Sequence, residues 1–115
     1  MSITRHEPTE IFNKVVEANG FVFTSGIVAD DVSQDIKGQT RQILAEIDRL
    51  LGLCGSDKSK AVSAMIWVTD IRNRDAMNEE WNAWTGGQNL PTRACVEARL
   101  ATSAILVEIA VTAVK

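Results

Sequence analysis

The sequence contains no tyrosine and only one histidine, two cysteines and two prolines in 115 residues. Without tyrosine there is no phenolic hydroxyl to serve as a proton donor. The one histidine, His6, sits in a polar N-terminal stretch, which excludes a Ser/His/Asp or Cys/His nucleophilic set unless that stretch folds into a site. Cys54, in a glycine-containing turn, and Cys95, in a strand-like segment, show neither metal-type spacing nor a disulfide framework and read as free thiols. An excess of positive charge is also missing. Twelve Lys and Arg stand against 15 Asp and Glu, for a formal net charge of -3, and the basic residues are scattered. That gives no footprint for a phosphate backbone, so nucleic acid is not expected as a partner. No apolar run reaches the length of a membrane span and the first residues hold no apolar signal core, so the expectation is a soluble, cytoplasmic protein without a membrane partner. Walker-type and dinucleotide glycine patterns are absent and the carboxylates lack metal-ligand spacing, so neither cofactor nor metal is expected.

What is present fits a single domain over residues 1–115. Two short β-rich runs, 11–16 and 21–25, flank Asn19-Gly20, a strong hairpin-turn signal. A polar loop with Asp30, Asp31 and Ser33 leads to a helix cap. Ile36, Ile43, Leu44, Ile47, Leu50 and Leu51 then recur at helical spacing up to Gly52, which predicts an amphipathic helix with a glycine stop. Residues 61–69 predict a strand buried largely on both faces, and 74–84 a second helix with Met77, Trp81 and Trp84 on one stripe, ended by Gly86-Gly87. Two strands close the chain, the first from Pro91 and the second over 106–114. The order β-β-α-β-α-β-β, with about five strands, predicts an α+β domain with helices on one face of a mixed sheet. The uncovered face invites burial against copies of itself.

Chemistry concentrates near the C-terminus. As a strand, Pro91-Thr-Arg-Ala-Cys-Val-Glu-Ala-Arg-Leu100 sends Thr92, Ala94, Val96 and Ala98 to one side, fit for a core, and Arg93, Cys95, Glu97 and Arg99 to the other, fit for contact or chemistry. Glu108 lies within an almost wholly apolar run, where a carboxylate needs water, a donor or a cation, and Arg93 is a natural candidate for that attendant. Arg93 offers a planar fork suited to a bidentate grip on a substrate carboxylate, and equally suits a solvated or ion-paired strand arginine. Glu108 could orient a water, or act as a structural partner of Arg93 or Arg99. Cys95 reads as a small wall residue rather than a nucleophile, since no base accompanies it. Ser25 and Asn78 are ordinary polar residues on chemistry alone, and Trp67, Trp81 and Trp84 read as core.

The run P-T-R-A-C-V-E-A-R-L, followed after a spacer by V-E-I, resembles the C-terminal signature of the RidA/YjgF family, the reactive intermediate deaminases also labelled endoribonuclease L-PSP. The likeness continues upstream through F-V-F-T-S-G (21–26) and V-T-D-I-R-N-R-D-A-M-N-E-E-W (68–81), in the same order, and spans most of the chain. It implies a chorismate-mutase-like fold assembling as a homotrimer, with ligand sites between subunits. It implies as activity the hydrolysis of small 2-imino acids to 2-oxo acids and ammonia, without a cofactor. Arg93 falls on the family's carboxylate-binding arginine and Glu108 on the glutamate associated with the catalytic water, while Cys95, Ser25 and Asn78 match pocket positions. One departure stands out: where the active branch of the family usually carries a tyrosine, this chain has Phe12, and the glutamine that often follows Ser-Gly is Ile27.

Overall fold

A computed structural model describes residues 2–115. Six strands form one sheet: β1 (Ile3–Pro8), β2 (Asn13–Ala18), β3 (Phe21–Thr24), β4 (Ala61–Val68), β5 (Thr92–Glu97) and β6 (Val107–Val114). Their spatial order is β1-β2-β3-β6-β4-β5, with β4 and β5 parallel and every other pair antiparallel. Two helices, α1 (Ile36–Leu53) and α2 (Arg74–Thr85), cover one face. No helix among the described residues is long and apolar enough to cross a membrane.

The hairpin forms where Asn-Gly predicts it. Asn19 and Gly20 both take positive φ, 53° and 81°, the twist that lets a two-residue turn join antiparallel strands. Helix α1 begins at Asp35, whose side chain accepts from the Gly38 amide at 2.9 Å. Its apolar stripe is buried, with Ile43, Ile47, Leu50 and Leu51 wholly inaccessible, each contributing about 1.5–3 kcal/mol. The helix runs through Gly52 to a C-cap at Cys54, and the turn falls at Gly55, φ 74°. Gly52 is therefore not the stop. Its helical conformation costs only modest entropy, while burial of Leu50 and Leu51 holds the last turn in place. Helix α2 does end at Gly86, φ 64°, whose amide closes on Asn82.

Two further expectations need correction. The polar N-terminal stretch is strand β1, which brings the strand count to six. Its alternation is weak because it is an edge strand, pinned by pairing with β2 and by a bidentate ion pair from Arg49 of α1 to Glu7 at 2.7 Å. Strand β4 is buried on one face only in a single chain: Ala64, Ile66 and Val68 lie under the helices, while Met65 and Trp67 are half-buried on the other side. Trp67 is thus not part of the helix-covered core. The uncovered face is apolar nonetheless, carrying Phe21, Phe23 and Val96 at 39%, 42% and 40% exposure beside Met65 and Trp67.

A buried glutamine ties the two long loops together. The Gln39 amide donates to the carbonyls of Val32, Gln34 and Ala104, and its oxygen accepts from the Leu106 amide, with no part of the residue exposed. Gln39→Leu, close in volume, leaves these backbone groups unpaired; we expect a loss of about 2–4 kcal/mol, read as a lower urea midpoint with an unchanged denaturant slope.

Candidate functional site

Cross-strand register fixes the side of the sheet on which each side chain lies. Arg93 aligns with Ala64 of β4 and Cys95 with Ile66, both buried beneath the helices. Arg93 and Cys95 therefore face the helices, and Thr92, Ala94 and Val96 face the open side. This reverses the inside and outside expected for β5: the side assigned to the core is exposed in the single chain. Such an edge strand alternates with the right period, but its sequence does not say which neighbour covers which face.

Arg93 is built into its place by α2. Its Nη1 donates to Asn78 Oδ1 at 2.7 Å, and its guanidinium stands over the Trp81 ring, 5.4 Å from the centroid. Met77 and Trp81 are buried and anchor that helix, so Asn78, one position on, is delivered to the guanidinium. Trp81 is a core residue that also forms a platform, while Trp84 is half-buried with its indole donating to Asp48. Burial lowers the Arg93 pKa from its ordinary value, and the nearby positive charge of Arg74 acts in the same direction. Among the described residues no carboxylate lies within ion-pair distance of Arg93. A partly desolvated cation held by a neutral amide and an aromatic face has open donors for an anion. Asn78, Trp81, Asn82, Leu90 and Pro91 form the recess around it.

Glu108 belongs to the opposite face. It aligns with Trp67 on β4, which aligns with Val96 on β5, all on the open side. Arg93 is therefore not its attendant within one chain. The half-buried Glu108 carboxylate has neither an ion pair nor a hydrogen bond among the described residues. Its side chain rests on the backbone of Gly26, so closely that a Cβ added there would meet Oε2 at 2.1 Å and Cδ at 2.8 Å. Only glycine permits that approach.

The approach depends on a bulge. Between the pairs Phe23–Thr112 and Ile27–Ile109, the three residues Thr24, Ser25 and Gly26 stand opposite two, Val111 and Ala110. The Thr24 hydroxyl accepts from the Val111 amide at 2.9 Å and donates to the Ser25 carbonyl, so it replaces the missing rung. Thr24 was not singled out in the sequence, since a threonine in a strand ordinarily signals only β propensity. Ser25 Oγ is the one buried side-chain polar atom among the described residues without a hydrogen-bond partner. Phe12 lines a recess with Lys14, Ser25, Gly26 and Ile27. Its backbone is fixed by Thr9, whose hydroxyl accepts from the Phe12 amide at 3.0 Å.

The site residues thus fall into three places: Arg93, Cys95 and Asn78 on the helix-covered face, Ser25 and Phe12 in a recess that Gln42 and Glu46 of α1 also line, and Glu108 on the open face against Gly26. This is an α+β domain with an arginine-bearing recess at a sheet edge and a second recess beside a strand bulge. The chain belongs to the endoribonuclease L-PSP family, whose model matches residues 2–115. It is 39% identical to a RutC family protein of Haemophilus ducreyi over 96% of this chain and 95% of that one. It is 34% identical to the RutC family protein YoaB of Escherichia coli, over 98% of both. A crystal structure of a YjgF family member from Neisseria meningitidis superposes with a TM-score of 0.96 at 43% identity, over 100% of this chain and 96% of that one. The resemblance read from the sequence is thereby established, together with the mixed sheet and its two helices.

Gly26→Ala forces the Glu108 side chain to move by about 1 Å or more to restore ordinary contact distance. A crystal structure of the variant should show the carboxylate displaced while Thr24 still bonds the Val111 amide.

Proposed function

We propose that the protein hydrolyses small 2-imino acids to 2-oxo acids and ammonia, at sites built between copies of the chain. The observation that carries this reading is the pair of complementary groups left unpaired: a partly buried Arg93 without a carboxylate and a half-buried Glu108 without a cation, on opposite faces of one sheet. One protomer cannot bring them together. A second copy docked through the apolar open face can set the β5 edge of one chain against the bulge of the next. A homotrimer closes such a head-to-tail contact, and the family resemblance favours that assembly.

In the completed cleft Arg93 binds the substrate carboxylate through paired donors, steadied by Asn78 and Trp81. Glu108 holds the water. Attack forms a C–O bond at the imine carbon as the C=N π bond opens and Glu108 carries one proton of the water to the nitrogen; the second proton, from the new hydroxyl, follows by way of Glu108 as the C–N bond breaks, the carbonyl forms and ammonia leaves. The unpartnered Ser25 hydroxyl offers a hydrogen bond to the substrate, and Cys95 serves as a wall beside Arg93. Imines hydrolyse readily, so orientation and proton transfer are enough without a strong nucleophile.

A second reading has one observation in its favour. Phe12 lines the recess where a hydroxyl would serve catalysis, which suits a trimeric protein that binds small carboxylates without turnover. Imine generated by an amino-acid oxidase should disappear faster with the protein than in buffer. Arg93→Ala should lower kcat/KM by roughly 100-fold, the weight of about 3 kcal/mol in charged hydrogen bonds, and Glu108→Gln should lower kcat by at least about 100-fold. Phe12→Tyr should raise the rate up to about tenfold by restoring one hydrogen bond. Carboxylate binding that requires Arg93, without acceleration for any imino acid tried, would leave the binding protein as the function.

A further inference from the structure

A second cluster lies apart from these recesses. His6 on β1 and Glu17 on β2 share the helix-covered face as diagonal neighbours, since His6 pairs with Val15 and Glu17 with Thr4. The C-cap of α1 brings Cys54 to the same spot. One ligand atom from each residue lies within 4.8 Å of the other two. His6 Nε2 stands 2.5 Å from Glu17 Oε2, and Lys115 Nζ holds the other oxygen of the same carboxylate at 2.6 Å. The cluster sits toward the β2–β3 turn, whereas Phe12 stands before the other end of β2.

We propose that His6, Glu17 and Cys54 form a binding site for a divalent transition metal of the zinc type. The donor set is one imidazole nitrogen, one carboxylate oxygen and one sulfur. It suits zinc or cobalt and not the all-oxygen shells of calcium and magnesium. Tetrahedral zinc requires ligand atoms about 3.3–3.7 Å apart, given bonds of about 2.0–2.3 Å. The His6–Glu17 contact has to open by about 1 Å to reach that spacing, and the 4.8 Å limit bounds how far the thiol has to close.

Access is graded. Cys54 is 3% exposed, while the Glu17 and His6 side chains are 15% and 25% exposed. The inner wall is closed and the His6 side is open, which leaves a fourth position for water. Lys115 keeps its oxygen, so Glu17 ligates through Oε2 alone, and the metal takes the place of the direct His6–Glu17 contact. A bound dication takes the place of the thiol proton. The site joins edge strand β1 to the end of α1, two elements that are otherwise linked through the exposed Glu7–Arg49 ion pair.

The test is titration of the untagged, chelator-stripped full chain with Co2+ and then Zn2+. We expect a single ion per chain, tetrahedral visible bands, a sulfur-to-cobalt charge-transfer band in the near ultraviolet, and displacement of cobalt by zinc. Cys54→Ser should abolish the charge-transfer band, Cys95→Ser should leave it intact, and His6→Gln should weaken binding by at least about tenfold. Should Cys54→Ser fail to fold, His6→Gln on the edge strand carries the test, and zinc should raise Tm in the wild type but not in that variant. Absence of stoichiometric binding, a cobalt spectrum without the thiolate band, or affinity unchanged in His6→Gln would overturn the assignment.

Discussion

The period of a β-strand is the constraint on which the rest depends. Side chains alternate strictly between faces, and strands β6, β4 and β5 are aligned without a slip from Glu108 and Trp67 to Val96. Arg93, an odd number of residues from Val96, must then face the helices while Glu108 faces away. No side-chain rotation brings the two charges together through a sheet. The separation also explains why neither charge is neutralised within the chain: each is partly buried by the layer that isolates it from the other.

Arg93 and Glu108 are held by different devices. On the covered face, burial of Met77 and Trp81 fixes α2 against the core, and the helix positions Asn78 and an indole face for a cation that packing alone would disfavour. At the end of β3 a bulge with one extra residue lets Gly26 lie under Glu108 and sets Ser25 in the recess that Phe12 shares with Gln42 and Glu46 of α1. Thr24 makes that irregularity affordable by bonding the Val111 amide that the ladder leaves over.

Much of the fold was legible because its signals are local. Asn19-Gly20, the stripe from Ile36 to Leu51, and Met77 with Trp81 each depend on neighbours within a few residues, and each lies where it was expected. Strand β1 was missed because an edge strand with one partner carries no clear alternation, and its support from Arg49 comes from far along the chain. Gly52 was misread as a stop because glycine propensity is weaker than the burial of Leu50 and Leu51. The family motifs pointed to Arg93, Glu108, Ser25 and Phe12, and nothing in the spacing pointed to Thr24 or to the meeting of His6 with Glu17 and Cys54.

The sequence by itself determined the class of fold and the family, because helical and strand periods, turn chemistry and family motifs are written in short stretches. Only the tertiary structure decided which face each residue occupies. That depends on which strands pair, in what register, and on which side the helices pack. The alternation of β5 is the same whether Arg93 points in or out; the helix that crosses above it, and the strand beside it, settle the direction.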